Sequence, residues 1–137
     1  MRLFTAALLA LALFQAPAAF SQNEQPTLKQ VMKQMSKHFK TIEKQIDNPK
    51  ANSSSATEAK SLAALVFQGI SLPPDLSHVP AANQAAALAE YRLVMEKLHK
   101  SCLDLERAFL TNDNVLAKKI FVEIEDQKSE GHIEYKE

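Results

Sequence analysis

Residues 88–109, LAEYRLVMEKLHKSCLDLERAF, settle the fold class. Leu88, Tyr91, Met95, Leu98, Cys102, Leu105 and Phe109 recur at alternating steps of three and four. That period lays every one of them on a single face of an α-helix, with Glu90, Lys97, Lys100 and Asp104 on the rest of its surface. No strand-like alternation competes. The segment is a long amphipathic helix that must bury its stripe against something else.

The rest of the chain supplies that something. Upstream, Pro26-Thr27 opens another helix with Thr27 as its N-cap, and Leu28, Met32, Met35, Phe39, Ile42 and Ile46 form its stripe. Asp47-Asn48-Pro49 ends it. The Asn/Ser stretch 52–55 reads as a loop, and Thr57 gives a weak start to a shorter helix carrying Leu62, Leu65, Val66, Phe67 and Ile70. Pro73-Pro74 stops that helix, residues 73–80 form a long turn, and Asn83 is placed to cap the long helix. After the break at residues 111–114, with Asn112 or Asn114 as cap, a last helix carries Leu116, Ile120, Phe121, Ile124, Lys128, His132 and Tyr135. Four stripes with nothing else to cover them imply an all-α, antiparallel up-down-up-down four-helix bundle. In that topology the start of the first helix and the end of the fourth share one end of the bundle, under the 72–82 loop.

Composition bounds function. Among 137 residues, 16 basic and 16 acidic groups balance, which gives no nucleic-acid footprint and no polybasic membrane patch. Residues 1–21 read as a signal peptide: Met1-Arg2, an apolar run from Leu3 to Phe14, then Ala19-Phe20-Ser21 before cleavage, with Ala16-Pro17-Ala18 a nearby alternative. The run is short for a membrane span. The expectation is an exported domain over residues 22–137, monomeric and without a membrane span, holding 15 basic groups against 16 acidic once Arg2 is removed. Cys102 is the single cysteine. It can form no internal disulfide, it excludes the Cys-x-x-Cys-His attachment of c-type haem, and on the seam it reads as an inert buried thiol.

Two residues could carry chemistry. Met32 stands about five residues into the first helix and His132 about five from the chain end, so the bundle brings both to the same end. A thioether facing an imidazole suits haem iron. Taken singly, each has an ordinary explanation: methionine fills cores adaptably, Met35 shares the same stripe, and an imidazole near a helix C-terminus favours the dipole. A haem-free helical-bundle chaperone, or a copper(I) site built from Met32, Met35 and His38, uses the same residues. His78 and His99 read as surface groups, having no partner at metal-ligand spacing.

The combined spacing resembles the cytochrome b562 family. Lys128-Ser129-Glu130-Gly131-His132-Ile133-Glu134-Tyr135-Lys136 is similar to that family's C-terminus, where the ligand histidine is followed three residues later by Tyr and then a basic residue. Met32 precedes Ile42-Glu43-Lys44 as the family's ligand methionine precedes a like triplet, and Tyr91-Arg92 matches an aromatic–Arg pair. The similarity runs from Thr27 to Lys136. It implies a periplasmic electron-transfer protein, not an enzyme, that binds one non-covalent haem b (iron protoporphyrin IX) through Met32 and His132 and exchanges electrons with redox protein partners. Lys128 would approach a propionate or simply stay solvated, and Tyr91 and Phe67 would pack on the porphyrin or in the core. Gly131 departs from the family, which is bulkier before the histidine.

Overall fold

The computed structural model describes the backbone of residues 25–134 and the side chains of residues 25–129. The signal peptide expected at residues 1–21 lies outside the described residues, as do Tyr135 and Lys136. Four α-helices follow in order: α1 (Leu28–Gln45), α2 (Asn52–Ile70), α3 (Gln84–Leu110) and α4 (Asn114–Glu134). Among the described residues there is no strand, and no helix is long and apolar enough to cross a membrane.

Contacts between helices fix the topology. Gln45 at the end of α1 meets Ser54 and Ser55 at the start of α2, while His38 meets Glu58 further along. From α2 to α3, Asn52 pairs with Asn112, Phe67 with His99 and Gly69 with Tyr91. In each set, residue numbers rise on one helix as they fall on the other. α4 closes back on α1: Lys118 pairs with Asp47, and Phe39 stacks on Phe121 at 4.5 Å. Every neighbour is antiparallel, which is the up-down-up-down bundle.

Local chemistry explains the boundaries. The Thr27 side chain accepts from the Gln30 backbone N–H, and the Gln30 side chain accepts in return from Thr27, a reciprocal capping box. At the far end of α3, Asn112 takes the left-handed conformation (φ 55°). Its N–H donates to the Phe109 carbonyl, and that of Asp113 reaches back to Ala108, closing a Schellman turn in which asparagine stands where glycine is usual.

Four expectations need correction. Residues 52–55 are the first turn of α2 rather than a loop, because their short polar side chains find partners: buried Ser55 donates to Gln45 and buried Asn52 to Asn112. Asn83 makes no side-chain cap; Gln84 instead pins the preceding loop by donating to the carbonyls of Leu76 and Val79. The cap of α4 is Asp113, whose carboxylate accepts from the Leu116 N–H, since Asn112 is already held by Asn52. Phe67 is 65% exposed, packed beside His99 on the outside, so it is neither core nor cleft.

The α3 stripe is buried as its spacing implies, from Tyr91 to Phe109. Opposite it, α2 presents small residues, Ala56, Ala59, Ala63 and Gly69, beside Leu62 and Val66. Small positions facing large ones let two helices interlock without voids. Each large side chain so buried contributes about 1.5–3 kcal/mol.

Candidate cofactor cleft

At the end of the bundle where α1 begins, the core opens into a cleft of about 490 Å³. All four helices contribute. From α1 come Leu28, Met32, Met35 and Phe39; from α2, Leu62; from α3, Tyr91, Val94, Met95 and Leu98; from α4, Ile124, Gln127 and Lys128. Pro74 and Asp75 of the connecting loop line it as well. The volume lies in the range of cofactor sites, and the walls are mostly apolar with a few polar groups.

Met32 is 36% exposed, less deeply set than its place in the stripe suggested. The buried positions of α1 are Val31, Phe39 and Ile42, so the helix is rotated and leaves the Met32 thioether on the cleft wall rather than in the core. Val31 is 1% exposed and lies off the expected stripe. Met35 lines the same cleft. His38 does not: its Nδ1 sits 2.6 Å from Glu58 Oε2, across the α1–α2 seam. The copper cluster of Met32, Met35 and His38 is therefore not brought together at one site. Among the described residues no group of three His, Cys, Asp or Glu could hold a metal ion.

His132 belongs to the last turn of α4, one helical turn beyond Lys128; its side chain lies outside the described residues. The Lys128 ammonium stands 4.8 Å from the centre of the Phe39 ring, and that ring is stacked on Phe121. A cation over an aromatic face is favourable, more so where it is partly desolvated. Lys128 thus fastens α4 to α1 beside the cleft and brings a positive charge to it.

Two polar features suit a bound group carrying both a large apolar face and anionic arms. Lys29, Lys33 and Lys128 all line the cleft. Asp75 opposes them with a carboxyl held below its ordinary range, chiefly by the Ser77 backbone N–H, then by the Ser77 side chain, with a smaller pull from His78. On the wall itself, Gln127 donates to Ser101 Oγ, yet its buried Oε1 has no partner among the described residues. The donor set is also apt, because a soft, neutral thioether binds haem iron and the apolar walls match a porphyrin face.

The sequence model of the cytochrome b562 family matches residues 27–136, most of the chain. No curated protein and no solved structure matches it. The chain belongs to the cytochrome b562 family, whose members are four-helix bundles that bind b-type haem non-covalently and transfer electrons.

Proposed function

We propose that this member of the cytochrome b562 family is a periplasmic electron carrier, not an enzyme, which holds one haem b in the cleft at the start of α1 with the Met32 thioether and the His132 imidazole as axial ligands. The observation that carries the reading is that Met32 shares one cleft with Ile124, Gln127 and Lys128, the residues leading into the turn that contains His132.

The register of α1 against α4 supports it. Phe39 touches both Phe121 and Lys128. Antiparallel helices keep that register, so two turns back along α1, from Phe39 to Met32, correspond to two turns onward along α4, to residues 128–135. His132 falls inside that window. As the residue four beyond Lys128, it also follows the same helix face at the 3.6-residue period.

The bound haem supplies reversible one-electron chemistry. The chain's own residues set its conditions. A neutral thioether opposite an imidazole adds no charge and favours the reduced state. Leu28, Phe39, Leu62, Leu98 and Ile124 would keep water from a haem held in the cleft, and the ammonium groups of Lys29, Lys33 and Lys128 would suit its anionic arms.

The test is a visible spectrum of the purified protein, reduced and oxidised, for Met32→Ala, Met35→Ala and His132→Ala. Met32→Ala should change the ferrous spectrum and lower the potential, and His132→Ala should lose haem or its low-spin bands. Met35→Ala should leave both properties nearly unaltered. A native protein that stays colourless with added hemin, or a spectrum sensitive to Met35 but not Met32, would overturn the assignment. Export is tested by the mass of the protein recovered from the periplasm, expected to begin at residue 22.

A further inference from the structure

We infer that the outer face of α1 is the docking surface for an acidic redox protein. The inference rests on the haem reading for its purpose, but not for its geometry. Lys29, Lys33, Lys37, Lys40 and Lys44 are spaced four, four, three and four apart, which places all five on one face of α1, and all five are exposed. They run about 22 Å along the helix. Glu43 is the one acidic residue that α1 contains. The row starts at the cleft, where Lys29 and Lys33 line the wall along with Asp75, and Lys37, Lys40 and Lys44 continue it away from the cleft as the part not committed to a bound group.

Helix stability does not account for this arrangement. The first turn of α1 has no acidic residue and carries Lys29, against the preference of a helix N-terminus for negative charge. Lys29 and Lys33, Lys33 and Lys37, and Lys40 and Lys44 are like-charge pairs one turn apart, which repel. The balance of 16 basic and 16 acidic groups over the whole chain also means that α1 departs from the average, so the row is a local asymmetry.

Such a stripe steers an oppositely charged protein and fixes its orientation, with more effect on encounter than on final affinity. Electron-transfer encounters are small, and one helix face next to a cofactor edge is of that scale. A membrane surface fits less well. An interfacial helix needs apolar side chains beside its basic ones, yet the buried residues of α1 face the bundle, and Met32 is its single large exposed apolar residue.

The experiment uses the full chain as purified, ¹⁵N-labelled, titrated with a plant-type ferredoxin as the acidic redox probe. A basic c-type cytochrome and phosphatidylserine vesicles serve as comparison probes, and sedimentation at low salt follows self-association. Ferredoxin should shift the amides of residues 29–44 and of the cleft mouth, with an affinity that falls as salt rises. Lys37→Glu/Lys40→Glu/Lys44→Glu, which leaves the cleft residues alone, should weaken that binding roughly tenfold with the visible spectrum unchanged. The glutamine triple variant should fall between. Equal binding by the charge-reversed variant, shifts centred on α2 and α3, binding to vesicles but not to ferredoxin, or low-salt dimers abolished by the substitutions would each overturn the inference. A colourless protein that still binds ferredoxin through α1 would refute the haem reading and leave the docking face standing; a haem protein that ignores ferredoxin would do the reverse.

Discussion

The Tyr91 hydroxyl donates a 2.8 Å hydrogen bond to the Gly69 carbonyl, tying α3 to the last turn of α2 beneath the cleft. Tyr91 is 2% exposed, so its ring serves as wall while its polar end is spent on a neighbour's backbone. The bond stops α2 from sliding at the place where the chain leaves it for the proline-rich loop. It also fixes one wall of the cleft.

Tyr91→Phe keeps the ring and removes the donor. The Gly69 carbonyl retains the backbone N–H groups of Ser71 and Leu72 as donors, so it is not left bare. The expected cost is about 1 kcal/mol, an average hydrogen bond rather than a buried orphan. Thermal melting of the haem-free protein should register it as a fall of roughly 4 °C. Tyr91→Ala, which empties the wall, should cost about 3–5 kcal/mol and weaken cofactor retention.

Gly69→Ala separates two effects. A Cβ there would stand 2.7 Å from Met95 Cε and within ordinary contact of Leu28 Cδ1 at 3.7 Å. The Met95 methyl is the far end of a flexible side chain and can yield, while the helix gains about 1 kcal/mol from losing its glycine. Stability should therefore change by less than about 1 kcal/mol. Met95 lines the cleft, so its displaced methyl takes up room there. Hemin titration should show weaker binding in a protein that melts almost normally; unchanged affinity would mean Met95 turns elsewhere.

The helix count and topology were legible in the sequence, and the α3 stripe most of all. Large side chains at steady three–four spacing report burial without ambiguity. The seam of α2 was not legible, since Ala56, Ala59 and Ala63 carry little hydrophobic signal and matter through what they allow α3 to do. Ser55 and Asn52 read as loop because their partners, Gln45 and Asn112, lie 10 and 60 residues away. The stripe of α1 treats Met32 as core, whereas rotation of the helix puts Val31 inside and turns Met32 to the cleft, a difference of register that hydrophobicity alone does not report. The lysine row on α1 was hidden by a net charge of zero. Gln127 gave no signal at all, because an unpaired oxygen is a property of packing.

Asn112 does two jobs, and its substitutions should part them. Asn112→Gly relieves the left-handed backbone but loses the 3.0 Å bond from the buried Asn52 amide. Asn112→Ala loses the bond and adds the steric cost of a left-handed alanine, about 1–2 kcal/mol. Denaturant unfolding should rank wild type above Gly and Gly above Ala. An Asn112→Gly protein as stable as wild type would show that the Asn52 contact contributes little.

Cys102 is fully buried on the α3 seam, and burial pushes its thiol up from 9.0 to about 12. The thiolate is the reactive form, so a thiol-specific disulfide reagent at pH 8 should leave the native protein almost unlabelled and react at once in denaturant. The same burial protects a lone cysteine from intermolecular oxidation in an oxidising compartment. The linkage has a definite sign. A folded-state pKa above the unfolded one favours the native state fully below pH 9, and that contribution disappears as pH climbs from 9 towards 12. Cys102→Ala removes the titration at the cost of a small cavity, so its stability should fall less steeply than wild type over that alkaline range. Native labelling at the rate of a free thiol, or identical alkaline limbs in the two proteins, would place Cys102 in contact with solvent.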